Sequence, residues 1–137
     1  MFGRIVVGTD GSETASEAVE RAIELAKLSG AKLGIVSAFE PTGRLAPEPL
    51  HVVYPRDVSL SLESAAGEAK MEGLEVQTHP REGDPADAIL DVAEETAADL
   101  IVVGNKGMTG SKRFLLGSVP DKISHPAPCG VWIVRTT

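Results

Sequence analysis

Cysteine is nearly absent. Cys129 is the only one, so no intrachain disulfide can form, and a reducing compartment is the natural expectation. Aromatic residues are scarce at 4%, so the core has to be built from Val, Ile, Leu and Ala, which the 42% hydrophobic content supplies. No apolar run is long enough to span a bilayer, and Met1-Phe2-Gly3-Arg4-Ile5 leads directly into a strand pattern without a signal-peptide layout. A soluble cytoplasmic protein is expected. Positive charge is in short supply: 13 Lys and Arg stand against 20 Asp and Glu, a net charge of -7. Such a surface repels nucleic-acid backbones and anionic membranes, so neither is an expected partner. Any phosphate bound here must be held by local groups, against the field of the whole protein.

Several chemistry-bearing patterns are missing too. His51, His79 and His125 are dispersed without metal-ligand spacing, and His79-Pro80 and His125-Pro126 read as turns. No metal site of the protein's own is expected. Cys129 has no His or Asp pattern beside it and reads as a small buried residue. Glu94-Glu95 and the series Asp84, Asp87, Asp91 fall on helix surfaces, as solvated faces rather than catalytic carboxylate pairs. No catalytic residue stands out.

What is present is a regular alternation over 137 residues, the length of one domain, taken as spanning 1–137. Ile5-Val6-Val7 is a buried strand closed by Gly8-Thr9-Asp10-Gly11-Ser12. Ala15, Ala18, Val19, Ala22, Ile23, Leu25 and Ala26 then recur at helical spacing, with Ser12 as N-cap and Gly30 as the terminating glycine. A second strand covers Lys32 to Phe39, followed by a proline-rich loop from Glu40 to Pro55. A weaker helix over Ser59 to Glu72 is interrupted by Gly67 and ended by Gly73. Leu74 to Thr78 alternates as a third strand; Asp84-Pro85 opens a helix that stops near Ala98. Asp99 to Gly104 is the fourth strand, Ser118 opens a short helix, and Gly130 to Arg135 is the last strand. Strands alternating with helices in this way specify an α/β fold, a parallel sheet covered on both faces.

In such sheets ligands bind beyond the carboxyl ends of the strands, where the strand order reverses. The loops at those ends are Gly8 to Ser12, Ser37 to Glu40, Thr78 to Gly83 and Gly104 to Ser118. The last is unusual. Gly104, Gly107 and Gly117 let backbone N–H groups turn toward an anion, and the helix after Gly117 adds unpaired N–H groups and the positive end of its dipole. Ser118 can cap that helix, with Asp121 as capping-box partner, or donate its hydroxyl to a phosphate. The stretch from Gly104 to Lys112 lacks the Gly-Lys-Ser/Thr order of a Walker A loop, and no G-x-G-x-x-G fingerprint occurs. Asp10 reads either as a cap of the first helix or as a ligand contact, the strand-end position favouring contact. Lys106 and Lys112 read equally well as solvated loop charges.

The spacing G-x2-G-x9-G-[ST], filled by Gly104, Gly107, Gly117 and Ser118, occurs together with Val6-Val7-Gly8-Thr9-Asp10-Gly11-Ser12 and the closing Ala127-Pro128-Cys129. With these residues the chain closely resembles the universal stress protein family, in its ATP-binding branch. The resemblance implies a three-layer α/β/α, Rossmann-like fold of the adenine nucleotide alpha hydrolase type, with five parallel strands in the order 3-2-1-4-5. That order makes strands one and four neighbours and brings Asp10 beside Gly104. It further implies that Asp10 accepts hydrogen bonds from ribose hydroxyls, with Thr9 and Val103 also at the nucleotide. Ala38 would read the adenine edge through its backbone. Gly104, Gly107, Gly117, Ser118 and Val119 would cradle the phosphates, with Lys106 close by. ATP or another adenine nucleotide such as cyclic AMP is the implied ligand, with Mg²⁺ or Mn²⁺ accompanying the phosphates. A homodimer through the last strand, Val131 to Val134, is implied as well, as is a regulatory role in stress response. Pro120 departs from the ATP-binding pattern and removes one potential anion donor. Two alternatives remain: a slow ATPase or phosphate-transferring enzyme, for which Asp10, Ser111 and Ser118 are available, and a dimeric scaffold with an empty cleft.

Overall fold

A computed structural model of the chain describes residues 2–39, 53–105 and 117–135. Five strands form one parallel sheet: β1 (Arg4–Gly8), β2 (Lys32–Phe39), β3 (Val76–Glu82), β4 (Leu100–Gly104) and β5 (Gly130–Val134), in the order β3-β2-β1-β4-β5. Helices α1 (Glu13–Ser29), α2 (Val53–Met71), α3 (Pro85–Glu95) and α4 (Lys122–Ser124) connect them, with a π-helical turn over Gly117–Asp121 leading into α4.

The sheet is buried on both faces, which explains why its central strands read as unbroken apolar runs. Successive side chains point to opposite faces. Ile5 and Val7 of β1, with Leu100 and Val102 of β4, pack with α1 and α2 on one side. Val6, Ile101 and Val103 pack with Ala88, Ile89 and Val92 of α3 and with Ile123 on the other. Few large side chains are needed, because β-branched and Ala positions fill both layers.

Helix α1 starts and stops where its chemistry dictates. Ser12 is extended at φ -78°, and its hydroxyl accepts from the Ala15 N–H at 3.2 Å. Gly30 takes φ +74°, a left-handed conformation that a side chain resists, and its N–H donates to the Ala26 carbonyl. Asp84 likewise caps α3 by accepting from the Asp87 N–H at 3.1 Å, with Pro85 in the first turn.

Three expectations are corrected. Strand β3 runs to Glu82, straight through His79-Pro80, so that pair is not a turn and most of the Thr78 to Gly83 loop is strand. Among the described residues β3 is an edge strand that pairs on one side only, where Ser37 of β2 faces Pro80, and an edge tolerates a residue without an N–H. Helix α2 begins at Val53 rather than Ser59, with Pro55 in the first turn where no N–H is required, and passes through Gly67 without a break. Ser118 lies inside the π-helical turn rather than ahead of it as a cap. His125-Pro126 does form a turn.

Candidate functional site

The strand order reverses at β1, which lies between β2 and β4. In register, Val7 faces Ile35 on one side and Val102 on the other. The chain leaving β1 therefore emerges level with the ends of both neighbours. Thr9 continues the pairing for one more residue, its N–H donating to the Val36 carbonyl at 2.9 Å, and its side chain is buried.

The next three residues form a self-braced turn. Thr9 Oγ1 accepts from the Gly11 N–H at 3.0 Å, and Asp10 Oδ1 accepts from the Ser12 N–H at 2.9 Å. Gly11 at φ +82° supplies the left-handed step that lets the turn close. Asp10 is thereby held exposed at the mouth of the reversal, with one carboxylate oxygen tethered to the main chain. Ser12, whose hydroxyl caps α1, ties the same turn to a 17-residue helix.

Opposite this turn stands the end of β4. Val103 is buried, and Gly104 pairs with Val134. The Asn105 N–H donates to the Val134 carbonyl at 2.8 Å, so β4 stays anchored to β5 to its last residue. The Gly117–Asp121 turn packs against β4 and α3. Val119 is 4% exposed and belongs to the α3-side core, so it contributes main chain and packing rather than a side chain in solvent. Ala38, near the end of β2, is half-buried and faces Arg81 of β3 in register.

The fold thus gathers Thr9, Asp10, Ala38, Val103, Gly104 and Val119 from the ends of β1, β2, β4 and the start of the last helical segment. Gly117 and Ser118 open that segment. Lys106 and Gly107, like Ser111 and Lys112, lie outside the described residues. Three neighbours of Asp10 have roles that the sequence does not reveal. Gly11 and Ser12 brace Asp10, a role visible only once the Asx-type turn is seen. Ser61 of α2 approaches so closely that a Cβ on Gly11 would stand 2.8 Å from its Oγ, a non-local contact with no local signature.

Several titrating groups are displaced by their surroundings. Hydrogen bonds from Arg81 hold the Glu95 carboxyl below its ordinary range, and burial followed by the Arg81 charge lowers His79. Asp99 is lowered by hydrogen bonds from the Gly3 and Arg4 N–H groups, at the amino ends of the strands, and burial raises Cys129. Among the described residues, no group of three or more His, Cys, Asp and Glu is arranged to hold a metal ion. No helix there is long and apolar enough to cross a membrane. A groove of about 450 Å³ lies between α1 and α2, but Glu20, Glu24, Glu68 and Glu72 line it against a single Lys27. Its charge opposes a phosphate, so volume alone does not locate a nucleotide cleft in this chain. What the strand-end arrangement offers is an exposed carboxylate acceptor on a braced turn, level with the end of β4 and suited to hydroxyl donors.

Comparison with known proteins agrees with this architecture. The model of the "Universal stress protein family" matches residues 1–135. Universal stress protein Rv1636 of Mycobacterium tuberculosis is 39% identical, the match covering 99% of this chain and 98% of that protein. A universal stress protein solved in complex with cAMP superposes with a TM-score of 0.80 at 34% identity, covering 99% of both chains. The universal stress protein of Archaeoglobus fulgidus, solved in complex with dAMP, superposes at 0.73 with 26% identity and 98% of each chain covered.

Proposed function

This chain belongs to the universal stress protein family, and we propose that it binds an adenine nucleotide across the reversal between the ends of β1 and β4. The observation that carries this reading is the tethered, exposed Asp10 carboxylate at the strand reversal, in the same fold as neighbours solved with cAMP and dAMP. In the proposed complex Asp10 accepts from a ribose hydroxyl, while Thr9 and Val103 form the floor. The main chain at Ala38 meets the adenine edge. Gly104, Gly107, Gly117, Ser118 and Val119 surround the phosphates, with Lys106 adding charge. Each of those two ligands keeps one free ribose hydroxyl, the 2′ in cAMP and the 3′ in dAMP, and one acceptor such as Asp10 suffices for either.

ATP is the leading occupant, with Mg²⁺ or Mn²⁺ brought by its phosphates. Cyclic AMP is the second reading, favoured by the 34% identical cAMP-bound neighbour and by Pro120, which removes one N–H from the anion-facing turn. Binding acts as a signal in a stress-response regulator: occupancy alters the state of the loop after β4 and, through it, contacts with partners. A homodimer through Val131 to Val134 is supported by the position of β5 at the sheet edge and by the exposure of Trp132 and Ile133. Titration calorimetry with ATP, ADP, AMP and cyclic AMP, with mass spectrometry of any nucleotide released from freshly purified protein, tests the proposal. Saturable binding of at least one is expected. No heat, no thermal shift and no released nucleotide would leave a scaffold.

A further inference from the structure

We propose that Ser61, on α2, is a positioning residue for the Asp10 carboxylate, acting as the stop against which the Gly11 turn rests. The inference builds on Asp10 as the ribose contact.

The turn is bonded on one side and closely approached on the other. From the sheet side, Thr9 Oγ1 accepts the Gly11 N–H at 3.0 Å. From the helix side, a Cβ built on Gly11 would stand 2.8 Å from Ser61 Oγ and 3.4 Å from Ser61 Cβ. Among the described residues nothing else outside its chain neighbours comes within 4 Å of that point. Beside the contact lies a cavity of about 190 Å³, bordered by Thr9, Ser16, Val19, Ser61 and Glu68. On the helix side, among the described residues, Ser61 is thus the neighbour nearest the open face of Gly11, with the cavity beside it. The Asp10 carboxylate is tethered to the N–H of Ser12, the residue on the far side of Gly11. Moving Gly11 moves that N–H, and the carboxylate with it. Helix α2, half of whose described length is exposed, thus has a mechanical route to the ribose end of the site through one hydroxyl-sized side chain.

The test uses ¹⁵N-labelled full-length protein and two substitutions at this half-buried position, Ser61→Ala and Ser61→Val. In the absence of nucleotide, the Asp10, Gly11 and Ser12 amide resonances are expected to move in opposite senses, as the stop is withdrawn or advanced. With cAMP, both variants are expected to weaken binding by roughly two- to tenfold. With 2′-deoxy-cAMP, which lacks the hydroxyl in question, the same variants should bind as the parent does. Gly11→Ala should lose less cAMP affinity in the Ser61→Ala background than in the parent, because the 2.8 Å conflict is with the removed oxygen. Unmoved amides in Ser61→Val, or additive losses in the double variant, would overturn the role of Ser61. If the parent binds no adenine nucleotide, the functional proposal fails, and the amide shifts of the unliganded protein still decide whether Ser61 sets the turn.

Discussion

Removing the Asp10 carboxylate probes the ribose contact most selectively. In Asp10→Ala the bond accepted from Ser12 N–H at 2.9 Å disappears, and with it the bond to the nucleotide in the proposed complex. The first belongs to the folded protein and affects stability; its donor is exposed and water can replace the acceptor, so the loss is at most about 1 kcal/mol. The second is a charge-assisted bond to a hydroxyl, worth about 1–3 kcal/mol, which is roughly a 5- to 150-fold rise in Kd. Asp10→Asn separates the two. Its carbonyl oxygen can still accept from Ser12, so the melting temperature should match that of the parent, while the neutral acceptor binds the ribose more weakly. Affinity should therefore fall in the order parent, Asn, Ala, and stability only in Ala. A nucleotide stripped of both ribose hydroxyls closes the cycle: it should bind the parent and Asp10→Ala equally. Calorimetric titration of the three proteins with ribo- and dideoxynucleotides measures every term. An equal loss for both ligands in Asp10→Ala would refute the ribose contact, because the carboxylate would then act through the turn alone.

Other substitutions test the frame and its chemistry. Gly117→Val should abolish nucleotide binding, through a side chain at the phosphate position, while leaving the circular dichroism spectrum unchanged; undiminished affinity would displace the phosphates from this turn. Ile101→Ala, at a fully buried position of β4, should cost about 2–5 kcal/mol in denaturant unfolding. Gly34→Ala should be neutral or add up to about 1 kcal/mol, because its Cβ would meet the His79 ring and Val6 at 3.5–3.6 Å, ordinary contact distances. Burial, then the Arg81 charge, depresses the His79 pKa in the folded state. The neutral ring is favoured there, so stability is complete above the unfolded value near ~6.5 and is lost as pH falls through the folded value. His79→Gln should flatten that part of the stability-against-pH curve, and an unchanged slope would contradict the assignment.

The architecture was legible wherever local chemistry and burial agree. Ser12 and Gly30 mark the ends of α1 because capping needs a side-chain acceptor at one end and a left-handed residue at the other. Val6-Val7 and Leu100 to Val103 read as central strands because both faces of the sheet are covered. Where tertiary context decides, the pattern misleads. His79-Pro80 looks like a turn until β3 proves to be an edge strand paired along its whole length with β2. Helix α2 starts six residues before its apolar periodicity becomes apparent, because Pro55 fits a first turn as well as it fits a loop. Of the candidate site, the placement of Asp10 beside the end of β4 follows from strand order. The bracing within the turn, made by side-chain to main-chain hydrogen bonds two residues apart, shows only in the folded geometry, and the approach of Ser61 joins segments fifty residues apart that share no sequence pattern. Lys106 and Gly107 fall outside the described residues, so their part in the site rests on the resemblance.

The central claim is most directly tested by a crystal structure of the protein grown with saturating ATP or cyclic AMP. The account predicts an adenine nucleotide seated over the ends of β1 and β4, with a ribose hydroxyl within hydrogen-bonding distance of Asp10 and its phosphate against the Gly117–Asp121 turn. Nucleotide bound elsewhere on the molecule, or an empty strand reversal at saturating concentration, would contradict it.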